Sequence, residues 1–178
     1  MGTLLLFYIF SVVLATEKET EDINWVSITD LEQLIQDKPR NVFIDIYADW
    51  CGWCKVMDRT TFKDVKVISY VNENYYAVRI DAESDVIITF RGQQLTEKQL
   101  VRSFGIQGLP TSIFMDESLE KVKPVIGYQE GPEFLRSLVK FNKWHWITTF
   151  LGKSHPPGSI WRWDEWLVRV DMSNFGAL

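Results

Sequence analysis

Ile44-Asp45-Ile46-Tyr47-Ala48-Asp49-Trp50-Cys51-Gly52-Trp53-Cys54-Lys55 holds the key to the chain's architecture. Val42 to Ala48 is a nearly continuous apolar run of strand length, as expected of a strand buried on both faces, and Asp45 is the carboxylate that interrupts it. From Asp49 the chain passes into a helix running toward Phe62, with the two cysteines at the junction. A thiolate, not a thiol, attacks a disulfide, so a reactive cysteine needs surroundings that lower its pKa. The unsatisfied N–H groups and positive dipole end of a helix start supply them. Cys51, at or just before that start, is therefore expected to be stabilised as an anion. Cys54 lies a turn further in, within bonding reach and less exposed, so Cys51 reads as the attacking nucleophile and Cys54 as the resolving thiol. Asp45, if buried, should have its pKa raised by desolvation and be able to take or return a proton. The alternative for Asp45 is a solvent-facing strand-edge residue.

Working outward, Thr29-Asp30-Leu31-Glu32 has the form of a capping box before a short helix whose Leu31, Leu34 and Ile35 share a face. Val65 to Asn74 reads as a helix and Tyr76 to Asp81 as the next strand. Val86 to Gly92 is a short strand or an extended loop before a helix near Thr96, where Thr96-Glu97-Lys98-Gln99 repeats the capping pattern. Gly108-Leu109-Pro110-Thr111 introduces the strand Ser112–Met115, and Glu120 to Gly127 reads as its hairpin partner. Gly131-Pro132 opens a last helix with Phe134, Leu135, Leu138 and Val139 on one face.

The chain has 178 residues, enough for one domain with appendages. Its 19 Lys plus Arg against 24 Asp plus Glu give a net charge of −5 without a basic cluster, which disfavours nucleic acid as a partner. The two cysteines preclude a disulfide framework. They also have the spacing of half a zinc ribbon, but no second half exists and His145 and His155 are distant, so no metal is expected. Leu4 to Ala15 is an uncharged apolar run, about 18 Å long as a helix and short of the roughly 30 Å hydrocarbon core. It fits a secretory signal cleaved after Ala15, although no Lys or Arg precedes it; a buried strand or helix is the alternative. Export would place the cysteine pair in an oxidising or thiol-managed compartment, periplasmic or otherwise extracytoplasmic, where such a pair is redox-active more often than metal-binding. The expected organisation is a signal peptide at 1–15, a linker at 16–24, a domain at 25–140 and an extension at 141–178 that holds five of the eight tryptophans. That extension reads either as a segment laying its aromatics on the domain or as a partner- or membrane-facing surface.

Together with Phe104-Gly105-Ile106-Gln107-Gly108-Leu109-Pro110-Thr111 and Gly127, the opening stretch resembles the thioredoxin family. It is most similar to the secreted thioredoxin-like branch with a Cys-Gly-Trp-Cys-Lys site followed by Met-Asp-x-x-Thr-Phe, here Met57 to Phe62. The resemblance covers about Trp25 to Val139. It implies an α/β thioredoxin fold, a central mixed sheet flanked by helices, with residues 83–96 as a short insertion and a Trp-rich C-terminal extension. It also implies that Pro110 is a cis-proline facing the cysteines, that the backbone at Leu109 binds a substrate chain in extended form, and that Trp50, Gly52 and Trp53 complete that surface. Two departures stand out. The residues between the cysteines are Gly-Trp where the best-known cytosolic members have Gly-Pro, so the redox potential does not carry over. The strand holding Asp81 has Ala77 where the family often places a lysine near the buried carboxylate.

The expected function is an exported thiol–disulfide oxidoreductase that reduces protein disulfides through Cys51 and Cys54. It needs no dissociable cofactor and would be recharged by a membrane-embedded thiol carrier. Two rivals stand beside it: a binding or chaperone module whose Trp-rich tail makes the main contacts, and a metal- or copper-handling protein that uses the thiol pair.

Overall fold

A computed structural model describes residues 22–150, with side chains through Lys143. The expected signal peptide, most of the linker and residues 151–178 lie outside the described residues. Within them the order is α1 (Leu31–Asp37), β1 (Asn41–Tyr47), α2 (Gly52–Arg59), a 3-10 turn (Thr61–Lys63), α3 (Val65–Asn74), β2 (Tyr75–Asp81), β3 (Ile87–Phe90), β4 (Gln93–Thr96), α4 (Glu97–Ser103), β5 (Thr111–Met115), β6 (Val122–Ile126) and α5 (Gly131–Phe150).

Four strands form one sheet in the order β2-β1-β5-β6. β1 runs parallel to β2 and antiparallel to β5, and β5 runs antiparallel to β6, so the sheet is mixed. The β5–β6 hairpin expected from the sequence is present. Pro124 sits in β6, an edge strand, where its missing N–H costs no ladder bond on the open side. β1 is central, which explains its almost unbroken apolar run.

Alternation along the strands sends neighbouring side chains to opposite faces. Val42, Ile44, Ile46, Val78, Ile80, Ile113 and Met115 build an aliphatic core on one face with α1, α4 and the inserted strands. Phe43 and Phe114 point to the other, where they join Phe62, Phe134 and Phe141 in an aromatic core. Phe43 is its hub, with ring centroids 5.2 Å from Phe134 and 5.7 Å from Phe62. Asp45 follows Phe43 by two residues and so lies on this second face. The register aligns it with Arg79 of β2 and Ser112 of β5, forming a polar row beside the aromatic one.

The local structure departs from the sequence expectation at α1 and adds to it elsewhere. α1 does not begin with a capping box, because Asp30 is its N-cap and makes no side-chain cap hydrogen bond. The Glu32 carboxylate instead accepts from the Gly92 N–H at 3.2 Å, and the Thr29 hydroxyl oxygen from the Thr89 N–H at 3.5 Å. Both groups are thus taken up by the insertion, which is a hairpin: β3 pairs antiparallel with β4 through Arg91-Gly92, both at positive φ. That two-residue turn matches the right-handed twist of its strands. Finally, α5 continues without a break past residue 141, and Phe141 packs on Phe114 with centroids 5.8 Å apart. Phe141, the first residue of the expected extension, therefore belongs to the aromatic core. At the other end, Ile23 of the expected linker is buried in the same core.

Candidate active site

Cys51 and Cys54 are joined in a disulfide with Cα atoms 5.3 Å apart. Cys51 is the N-cap of α2, and the Cys54 N–H donates to its Sγ at 3.1 Å. One of the helix's orphan donors thus already points at the sulfur expected to become the thiolate. The expected difference in exposure between the cysteines is absent: they are 3% and 4% exposed. In this oxidised form the pair is distinguished by helix position and not by access. Around the disulfide the surface is open and aromatic, with Trp50 67% and Trp53 61% exposed.

The Leu109–Pro110 peptide is cis. Leu109 and Pro110 share a shallow cavity of about 340 Å³ with Trp53, Gly127 and Tyr128. This brings Trp53, which lies between the cysteines, together with a loop more than fifty residues away in sequence. Trp53 stacks on Tyr128 at a centroid distance of 5.4 Å. Gly127 has φ 97°, a conformation that a residue with a Cβ adopts only under strain, and its N–H donates to the Pro110 carbonyl at 2.8 Å. A second cavity of equal volume, bounded by Glu32, Arg91 and Glu117, shares no residue with this one.

Asp45 is buried, not a solvent-facing edge residue. Burial pushes its carboxyl up against the pull of Arg79, and repulsion from Asp58 adds to the rise, to a pKa of about 7. Arg79 occupies the place opposite Asp45 in the parallel register. Its Nε donates to Asp45 Oδ2 at 3.2 Å, and its Nη2 donates to Asp58 Oδ1 and Oδ2 at 2.9 and 3.1 Å. The guanidinium also lies over Tyr47, 4.5 Å from the ring centroid, and over Trp25 at 5.2 Å. The buried carboxylate therefore has a basic partner, although Ala77 holds the position where the family often places a lysine. The cation comes from two residues further along the same face of β2.

The thioredoxin-like domain family matches residues 29–142. The chain belongs to that family. Among curated relatives, the thiol:disulfide interchange protein DsbD of Pectobacterium atrosepticum is 26% identical over 140 residues, covering 76% of this chain and 23% of that protein. The chain thus spans under a quarter of that relative's length. Two solved structures share the fold: a thioredoxin-fold protein from Helicobacter pylori (TM-score 0.59, 14% identity, 79% of this chain and 85% of that one) and a thioredoxin from Thermus thermophilus (TM-score 0.58, 17% identity, 76% and 99%). In this thioredoxin-like domain the redox centre is the Cys51–Cys54 disulfide itself. Among the described residues no group of three or more His, Cys, Asp or Glu side chains could hold a metal ion.

The sequence reading missed Arg79, Asp58 and Tyr128. Parallel pairing of β1 and β2 would have pointed to Arg79 as the residue facing Asp45. Asp58 was visible as the residue four after Cys54, on the same helix face. Nothing local marked Tyr128, whose place depends on how the β5–β6 hairpin meets α2.

Proposed function

We propose that this domain performs dithiol–disulfide exchange and works in the reducing direction on protein disulfides. Reduced Cys51 attacks a client disulfide as a thiolate, and a mixed disulfide forms while one client sulfur leaves. Cys54 then attacks Cys51, releasing the second client sulfur, with Asp45 receiving the proton of the Cys54 thiol. Trp50, Gly52, Trp53, Leu109 and cis-Pro110 hold the client chain beside the reacting sulfurs. The observation that carries this reading is the disulfide at the N-cap of α2, with Trp53 and Pro110 lining one cavity next to it. The Pectobacterium relative, a thiol:disulfide interchange protein, supports the same chemistry. We further propose that the chain is exported, on the strength of the apolar run at residues 4–15, and recharged by a membrane thiol carrier.

The test is to change Cys54 to Ser in the full chain and present it, reduced, to a protein with accessible disulfides. A covalent adduct that dithiothreitol reverses is expected, and Cys51→Ser should form none. If neither variant traps a client, exchange is the wrong chemistry and a binding role takes its place. Direction is tested separately by the equilibrium potential of the pair. A value near the oxidising end of the thioredoxin-fold range, about −120 mV, would reverse the assignment from reductase to oxidase.

A further inference from the structure

We infer that Arg79 is a positioning residue that couples the buried Asp45 carboxylate to Asp58 on the active-site helix, and thereby sets the pH at which Asp45 can accept the Cys54 proton. This rests on the exchange reading above. The placement begins with the strands: Asp45 and Arg79 are register partners on the face of the sheet that α2 covers. Asp58 follows Cys54 by four residues in α2, so the two share a helix face. Because Arg79 reaches both carboxylates, it joins the sheet's polar row to the helix face that carries the resolving cysteine.

The charge balance gives this arrangement its consequence. One cation stands between two carboxylates, so the cluster holds an uncompensated negative charge when both acids are ionised. The member that loses hydration is the one that gains by taking a proton. Asp45 has a side chain 3% exposed and Asp58 one 35% exposed, so the proton goes to Asp45. Among the described residues the charged groups acting on Asp45 are Arg79 from β2 and Asp58 from α2. Its β5 partner is the uncharged Ser112, and Tyr47 lies two residues on along β1. The rings of Tyr47 and Trp25 hold the guanidinium in place, and its fork reaches both acids at once, which a lysine's point charge does less well.

In the resolving step Cys54 gives its proton to the Asp45 carboxylate and attacks Cys51 Sγ in the mixed disulfide. The Cys51–client S–S bond breaks as the Cys51–Cys54 bond forms, and the electron pair departs on the client sulfur. Two electrons have then passed from the cysteine pair to the client disulfide, and no further oxidant or reductant enters.

The experiment follows the Asp45 carboxyl by carbon-13 NMR across pH in the reduced full chain, assigned with Asp45→Asn, alongside the pH profile of client release. Arg79→Met is expected to move both midpoints alkaline by about one pH unit or more, the low end of what loss of an opposite charge produces. Arg79→Lys should move them less. Asp58→Asn should move them the other way, because it removes a repelling charge and leaves Arg79 to Asp45 alone. Unmoved midpoints in folded Arg79→Lys and Asp58→Asn, or a shift of the same sign in Asp58→Asn and either Arg79 variant, would overturn the proposal. Should Arg79→Met fail to fold, the other two variants still decide it. Should the wild type show no exchange, that reading falls, and the carboxyl midpoints alone still judge Arg79.

Discussion

β1 buries a polar side chain at its first residue, Asn41, and another four residues on, at Asp45, and the two are held in different ways. Asn41 Nδ2 donates to Asn142 Oδ1 at 3.1 Å, and Asn142 Nδ2 donates in turn to the Tyr70 hydroxyl at 3.0 Å and to Asn74 Oδ1 at 3.3 Å. These groups are neutral amides and a phenol, and they tie the start of β1 to α3 and α5. Toward the cysteine end, Asp45 shares a single cation with Asp58 under the active-site helix. The first arrangement orders the packing without a charged side chain. The second keeps a carboxyl poised near neutrality at some cost to stability. On the exchange reading proposed above, Asn41 is buried for architecture and Asp45 for proton chemistry, and charge balance, not burial, distinguishes them.

Asp45→Asn tests this distinction with the largest expected effect. The native chain holds the Asp45 proton up to about pH 7, whereas an unperturbed carboxyl releases it near 3.8. The stabilising contribution of the protonated form is therefore complete below about 3.8, falls as pH rises between those values, and is gone above about 7. At ~1.4 kcal/mol per pH unit the displacement corresponds to at most about 4 kcal/mol. Asn cannot ionise, so urea unfolding at about pH 8 should show the variant more stable than wild type, by less than that figure because the pair with Arg79 is lost. At about pH 4 the advantage should disappear. An advantage that stays constant across this range would contradict the assignment of Asp45 as the ionising member.

Asn41→Ala is the matching test at the other end. It strands the Asn142 carboxamide oxygen in a part-buried site, so a loss of about 1–3 kcal/mol is expected. Because Asn41 and its partner Asn142 are amides with no ionisable proton, the loss should be the same at about pH 4 and about pH 8. A clear slope with pH would mean that the two sites are electrostatically linked through β1, and the contrast between them would collapse.

The cysteine end is also the one that opens to solvent, through the exposed rings of Trp50 and Trp53. Trp53→Ala removes the ring that stacks on Tyr128 and walls the Pro110 cavity. In a disulfide-reduction assay it is expected to raise KM about fivefold to tenfold, the effect of a modest contact hot spot, with kcat little changed. A fall in kcat at constant KM would place Trp53 in the chemistry and not in client binding.

The strands, the helices and the cysteine junction were legible because each has a short-range signature: the apolar run of β1, the helical spacing in α5, and the two cysteines at a strand-to-helix turn. The resemblance to the thioredoxin family supplied Pro110 and the surface around it. What stayed hidden depends on register and tertiary contact. Arg79 gains its partner from the parallel pairing of β1 with β2, and a parallel register leaves no local mark because its strands are joined through intervening helices. The hairpin of residues 87–96 was obscured because Arg91-Gly92 is a less recognisable turn pair than Asn-Gly.

Two helix starts that read alike provide the smallest and cleanest version of the same contrast. At α4 the Thr96 hydroxyl accepts from the Gln99 N–H at 3.2 Å and the Gln99 side chain accepts from the Thr96 N–H at 2.8 Å, a complete capping box. At α1 the corresponding groups of Thr29 and Glu32 serve the inserted hairpin instead. Thr96→Ala should therefore cost about 1 kcal/mol. Thr29→Ala should cost under about 0.5 kcal/mol, since it removes one long contact and no cap. Equal losses in urea unfolding would show that Thr29 caps α1 in solution. The local pattern would then have prevailed over the insertion, and the hairpin could not be what draws those side chains away.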